Sequence, residues 1–243
     1  MNDVKRFNRR ILVHLILILL VVAGLIFAFI AAGLWIENVN IQFVVCLGSL
    51  ILGVMAYGIL QGRMDRLMQF GYLARIRANA GDPLPMDYTR DMGKTEDRLK
   101  CLGYRLHRRE TDHALYFRVT KDDLRKTFPK HVLEVVVLLE PDVTGFYLNS
   151  VDVEIGEIQQ SHLKLGKRID RMLITQIKEI TDLDEKTKES IKEIIYVRTR
   201  YTILSTINVG LYRPKSLALM LYAATYRPSI YYRKHLEEIR RIL

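Results

Sequence analysis

Four acidic residues in the middle of the chain have the types and spacing that could bind a divalent metal ion. Asp152 and Glu154 lie within residues 146–158, where apolar and polar residues alternate. Alternation predicts a β-strand, and side chains two residues apart on a strand project from the same face. With Glu134 or Glu140 on a neighbouring strand, these carboxylates would offer oxygen ligands to Mg²⁺, as in a metal-dependent nuclease.

The same acids are also expected on the solvent side of an amphipathic strand, and this is the commoner explanation of such a pattern. A nuclease of this kind would place a lysine two residues after the second acid, where this chain has Gly156. The sequence therefore leaves Asp152, Glu154 and Glu134 as catalytic candidates without a complete motif.

Other chemical motifs are incomplete. Gly93-Lys94-Thr95 lacks the upstream glycine and the preceding strand that a phosphate-binding loop needs. The 6 histidines do not share the spacing of a metal-binding helix, and the 2 cysteines are too few for a thiolate zinc site. The sequence therefore predicts no cofactor and no metal ligand, and favours a protein that is not an enzyme.

The C-terminal fifth of the chain is strongly basic. The whole chain has a formal net charge of +10, and residues 198–243 contribute most of it. Such a surface suits anionic lipid headgroups, or less favourably nucleic acid, although tyrosines in the same region are also expected to pack structurally. The candidate basic surface consists of Arg198, Arg200, Arg213, Lys215, Arg233, Lys234, Arg240 and Arg241.

Two long apolar segments near the N-terminus must position everything that follows them. Residues 11–36 and 41–60 contain no Asp, Glu, Lys or Arg, and only residues 37–40 separate them. About 20 apolar residues in a helix cross a hydrocarbon core of roughly 30 Å. The sequence therefore predicts two transmembrane helices that form an antiparallel hairpin.

Small residues predict how the two helices pack, because they allow helix backbones to approach closely. Folding the hairpin about its short link places residues whose numbers sum to about 77 at equal depth in the membrane. We therefore expect Gly24 to contact Gly53 and Ala28 to contact Ser49. Glycine and alanine are also generally common in membrane helices, so the pattern has this second explanation.

Charges that flank the apolar segments predict the topology. Lys5 and Arg6 precede the first helix and Arg63 and Arg66 follow the second, whereas the link carries Glu37 and no positive charge. The positive-inside rule places both termini in the cytoplasm of a plasma or inner membrane. The first segment is too long for the apolar core of a cleaved signal peptide.

The remaining chain is long enough for one soluble domain. We predict an anchor at residues 1–63, a juxtamembrane helix and linker at 64–93, and a cytoplasmic domain at 94–243. Helical patterns cover residues 95–102, 121–127, 163–180, 217–226 and 229–243. Residues 104–110 and 114–120 predict a β-hairpin, and the apolar run 132–139 predicts a buried strand. The mixed order predicts an α+β fold with a mainly antiparallel sheet.

These expectations combine into an integral membrane protein that presents a non-catalytic binding or regulatory domain at the inner membrane surface. Anionic lipid is the expected partner, together with an unidentified protein or small ligand, and a homo-oligomer is compatible with the sequence. The alternatives are a membrane-tethered metal-dependent nuclease and a membrane-perturbing oligomeric effector.

Overall fold

The chain divides into two compact units, Met1–Ala74 and Arg75–Leu243. The computed structural model describes residues 2–87, 92–122, 131–199 and 202–243. Each unit is described separately below.

The first unit consists of two long antiparallel helices. Helix α1 spans Asn2–Trp35 and helix α2 spans Val39–Ala78. The rings of Phe7 and Phe70 stack with centroids 6.5 Å apart at one end of the pair. At the other end, a Cβ at Gly33 would lie 3.6 Å from Gln42 Nε2. The apolar stretches predicted at residues 11–36 and 41–60 therefore lie within longer helices that pair antiparallel.

The small residues of the hairpin pack differently from the prediction. Gly24 lies on the outer face, with nothing within 4 Å of the place a Cβ would occupy, whereas a Cβ at Gly53 would lie 2.4 Å from Leu25 Cδ1. The predicted Gly24–Gly53 contact is therefore wrong, and Leu25 covers Gly53 instead. Ala28 and Ser49 are half-buried.

The spacing of inward-facing residues along two paired helices explains this difference. Two helices that wrap around each other bring inward the positions that alternate at three and four residues, not those at every fourth residue. In α1 these inward positions are Ile18, Val21, Leu25, Ala28 and Ala32. Gly24 falls beside this seam and not on it.

The second unit is built around one mixed sheet. Its elements are β1 (Leu84–Pro85), α3 (Met92–Cys101), β2 (Arg105–Arg109), β3 (His113–Lys121), β4 (His131–Leu139), α4 (Asn149–Lys164), β5 (Ile169–Ile180), α5 (Glu185–Ile191), β6 (Ile195–Arg198), β7 (Ile203–Tyr212), β8 (Leu217–Met220) and α6 (Ile230–Ile242). The strands are ordered β1-β8-β7-β5-β4-β3-β2, and β6 pairs with β7. The pairs β4–β5 and β5–β7 are parallel, and the other pairs are antiparallel. The predicted α+β class with a mainly antiparallel sheet is confirmed.

Helices cover both faces of this sheet. On one face, Val151, Ile155 and Ile158 of α4 pack against the residues of β4 that include Leu133 and Val135. On the other face, His235 of α6 contacts Thr175 of β5 and Ser205 of β7. The strands β4 and β5 are consequently buried on both sides, which explains the near-continuous apolar run of β4.

Several predicted elements are confirmed, namely α3, the β2–β3 hairpin, β4 and α6. Gly103 lies just after the end of α3 and has φ +82°, a conformation that glycine adopts without strain. The short helix predicted after β3 lies largely outside the described residues. Residues 81–87, predicted as linker, include β1, which pairs with β8, and Ala80, predicted as helical, forms a bridge with Ala223.

Three element predictions are wrong. Residues 146–158 are predicted as a strand, but α4 begins at Asn149 and buries Val151, Glu154, Ile155 and Ile158 on one face. Residues 163–180 were predicted as a helix, but they contain the end of α4 and the central strand β5. Residues 217–226 were predicted as a helix and contain the short strand β8.

Candidate functional site

The acids proposed from the sequence as metal ligands do not meet. Asp152 and Glu154 lie on α4, where residues two apart project in different directions. Asp152 is exposed and accepts a hydrogen bond of 2.8 Å from the Tyr147 hydroxyl, while Glu154 is buried. Glu134 of β4 points to the opposite face of the sheet from Leu133 and Val135, and therefore away from α4. The prediction that Asp152 and Glu154 share one face of a strand, on which the nuclease hypothesis depends, is therefore wrong.

Glu154 instead belongs to an acid–histidine cluster, which we define as Glu110, Asp112, His113 and Glu154. The Nε2 atom of His113 lies 3.2 Å from Glu154 Oε1, and its Nδ1 atom lies 2.7 Å from Asp112 Oδ1. Both His113 and Glu154 have a relative exposure of 1%. The imidazole is therefore held between two carboxylates inside the protein.

The β2–β3 turn and helix α4 position this cluster. Glu110 and Asp112 lie in the turn, which is closed by a hydrogen bond from Glu110 N to His113 O of 2.8 Å. Glu110, Asp112 and His113 each offer one atom that could bind a metal ion, and these three atoms lie within 4.8 Å of one another. The sequence predicts Glu110 at the end of a strand and Asp112 and His113 in the turn after it. Three metal-ligand residue types within four positions are the signal that could have identified the cluster.

Arg108 supplies positive charge beside the cluster. Arg108 Nη1 lies 3.7 Å from Glu110 Oε1 and 4.0 Å from Glu154 Oε1. The same guanidinium reaches Glu157 Oε2 at 3.3 Å through Nη2. One arginine is therefore shared among three carboxylates.

Glu134 belongs to a separate buried ion network on the α6 side of the sheet. Arg118 Nε donates to Glu134 Oε2 at 2.7 Å, and Arg118 Nη2 donates to Glu238 Oε1 at 2.8 Å. Lys234 Nζ lies 2.9 Å from Glu134 Oε1. The Tyr104 hydroxyl donates to Glu238 Oε1 at 3.2 Å, and burial together with the Glu238 charge raises the pKa of Tyr104. This network joins the segment between α3 and β2 to β3, β4 and α6.

A cavity of about 370 Å³ opens over this network, and we call it the basic cavity. Its charged lining residues are Arg118, Lys121, Arg233, Lys234 and Arg241, with Glu134, Glu237 and Glu238. Five cations therefore face three acids, and two of those acids are buried in the network below. The arrangement can accept an anion, because an excess of basic side chains converges on one concave site.

The predicted basic surface is thus divided by the structure. Arg233, Lys234 and Arg241 line the basic cavity. Arg198 donates to Pro228 O at 2.7 Å, and Arg213 is paired with Glu179, so these two support the fold. Lys215 and Arg240 are exposed and do not line that cavity, and Arg200 lies outside the described residues.

A larger cleft of about 590 Å³ lies at the carboxyl ends of β4 and β5, where ligands often bind in parallel sheets. Its central cation, Lys178, donates to Val143 O, and burial lowers the pKa of Lys178. Lys178 is therefore engaged with the backbone of the cleft wall. The cleft also contains Glu179, Asp182 and Asp184, so it does not match an anionic ligand.

Comparison with known protein families, curated proteins and solved structures finds no match to this chain.

Proposed function

We propose that this protein is anchored in a membrane by the α1–α2 hairpin and that its α+β domain binds a phosphate-bearing anionic ligand at the cytoplasmic face, without catalysis. The observation that carries this proposal is the basic cavity in a domain that follows two exposed apolar helices. The membrane anchor and the binding site are supported by different features.

The apolar residues of the hairpin face outward. Both helices are long and apolar enough to cross a membrane, and only 6% of the most apolar window of each is buried. Phe27 and Leu52 are 64% and 69% exposed. A core helix of a soluble protein would bury such residues, whereas a membrane-spanning helix exposes them to lipid.

Fractionation tests the anchor directly. We expect the full chain to stay in the membrane pellet after alkaline carbonate and after high salt, because the apolar area of two spanning helices holds it in the bilayer. Arginine at both Leu20 and Leu52 should shift the chain towards the soluble or degraded fraction, since each charge costs roughly 3 kcal/mol at the centre of a spanning helix.

A matched double variant, Leu20→Ala with Leu52→Ala, should remain in the pellet. Release of the unmodified chain by carbonate would refute the anchor. Reagents that label cysteines introduced at either terminus from outside intact cells would refute the proposed topology alone.

The basic cavity supports the anionic ligand. Glu134 and Glu238 already balance Arg118 and Lys234 within the buried network. Lys121 and Arg241 are exposed at the rim, where Lys121 adds a positive charge and Arg241 Nη1 lies 3.5 Å from Glu238 Oε2. A phosphate group could therefore be bound without breaking the buried ion pairs.

Binding can be measured on the full chain in detergent micelles. Lys121→Ser with Arg241→Ser should weaken binding of soluble short-chain phosphatidylglycerol about tenfold, because two charge-assisted contacts are lost. Arg240→Ser removes a neighbouring exposed charge outside the cavity and should leave the affinity unchanged.

A competition experiment shows which part of the ligand the protein recognises. Displacement of phosphatidylglycerol by inorganic phosphate would identify the phosphate group as the recognised element, whereas retention would require the whole lipid. Equal binding of phosphatidylcholine, or equal loss in Arg240→Ser, would refute the proposed site.

A further inference from the structure

The two ring nitrogens of His113 both face carboxylate oxygens. A neutral imidazole has only one N–H, so it can donate to only one of two acceptors. The second nitrogen then presents a lone pair to a carboxylate oxygen, which is repulsive unless a proton or a metal cation lies between them. The contacts of 2.7 Å to Asp112 and 3.2 Å to Glu154 therefore require positive charge at this position.

Glu154 adds a buried negative charge beside the ring and increases the excess of acids around it. Its Oε2 atom is buried and has no hydrogen-bond partner among the residues that the structure describes. Buried carboxylate oxygens are normally paired, because desolvation of a charge is costly. Arg108, the guanidinium nearest to Glu154, is already shared with Glu110 and Glu157.

We propose that Glu110, Asp112 and His113 bind a divalent transition-metal ion of the Zn²⁺ class. In this site His113 Nδ1 and one oxygen from each acid are the ligands, and His113 Nε2–H donates to Glu154. Glu154 is a positioning residue, because a carboxylate behind a ligating histidine fixes the ring and its tautomer.

The donor set selects the class of metal. One imidazole nitrogen with two carboxylate oxygens suits Zn²⁺, whereas Mg²⁺ and Ca²⁺ prefer oxygen ligands alone. Ligands at roughly 2.0–2.2 Å from Zn²⁺ are about 3–4 Å apart, so the present separations need only small side-chain movements. Three protein ligands leave a position for water, and Glu110 is exposed at the protein surface.

The test uses tag-free full chain in detergent, stripped with a chelator and titrated with Zn²⁺ against a chromophoric competitor. We expect one equivalent of Zn²⁺ to bind, and Co²⁺ in its place to give visible d–d absorption. Glu110→Gln and Asp112→Asn should each weaken Zn²⁺ binding at least about tenfold, because each removes a ligand. Both changes are made at the rim, where they leave the buried histidine in place.

Glu154→Gln should weaken Zn²⁺ binding by about 10–100-fold and shift the Co²⁺ spectrum, because the ring loses its carboxylate partner. Asp152→Asn is the matched control: it lies on the same helix but contacts Tyr147. This control should leave both affinity and spectrum unchanged.

Absence of stoichiometric Zn²⁺ binding would overturn the proposal, as would a Zn²⁺ affinity that Glu110→Gln and Asp112→Asn do not change. Equal weakening by Asp152→Asn would also overturn it. The site is independent of the basic cavity, so either proposal can fail while the other stands.

Discussion

Acidification from about pH 7 to about pH 4.5 is expected to destabilise the α+β domain through one residue, His235. Burial lowers the pKa of His235 from 6.5 to about 3. In the unfolded chain the same imidazole takes up a proton near pH 6.5, while the folded domain keeps it neutral. The unfolded state therefore binds more protons, and stability is lost as the pH falls from about 6.5 towards 3.

The geometry explains why the buried ring is neutral. Its Nε2 atom lies 3.0 Å from Thr175 Oγ1, and its Nδ1 atom lies 2.9 Å from Ser205 Oγ. Hydroxyl groups can donate or accept, so they satisfy a neutral imidazole at both nitrogens. A charged imidazolium would be desolvated next to partners that carry no negative charge.

The expected loss is up to about 1.4 kcal/mol for each pH unit below 6.5. Urea unfolding of the full chain in micelles, followed by far-UV circular dichroism at several pH values, measures it. His235→Gln keeps two hydrogen-bonding groups without a titrating ring and should flatten the pH dependence in this window. An equally steep loss in His235→Gln would show that another group is responsible.

The second large effect is expected from Glu134→Gln in the buried ion network. Glu134 balances both Arg118 and Lys234, and it has a relative exposure of 1%. Removing its charge leaves Lys234 without its acidic partner and Arg118 with Glu238 alone, and breaking a buried pair in this way typically costs about 3–5 kcal/mol. We expect the urea midpoint to fall accordingly.

Two comparisons separate this effect from a general loss of charge. Asp97→Asn removes an acid from the exposed pair with Lys100, and it should change the stability by less than about 1 kcal/mol. Glu134→Gln combined with Lys234→Met removes the opposite charge as well and should recover part of the loss. If Glu134→Gln and Asp97→Asn have equal effects, the network does not contribute as described.

Sequence reasoning succeeded where one physical constraint dominated a segment. The apolar helices needed no tertiary information, because length and the absence of charge identify them. The strand β4, with its continuous run from Val132 to Leu139, and the amphipathic helix α6 were also recognisable. In each case the hydrophobic pattern had a single structural explanation.

The sequence predictions failed where one hydrophobic pattern fitted both a helix and a strand. In α4, Val151, Val153 and Ile155 alternate like a strand, but Val153 is 62% exposed while Val151 and Ile155 are buried. In β5, Leu173 and Ile177 imitate one face of a helix because this central strand is buried on both sides. The pattern misleads in α4 because an exposed valine completes an apparent alternation, and in β5 because both faces of the strand are covered.

The sequence by itself determined the apolar hairpin, the α+β class and the excess of basic residues near the C-terminus. Only the tertiary structure decided that Glu154 meets His113 and that Glu134 meets Arg118, on opposite faces of the sheet. The physical reason is that hydrophobic periodicity is a local property of the chain. Contacts between polar side chains depend on which strands are neighbours and which helix covers each face, and those are set only when the whole core is packed.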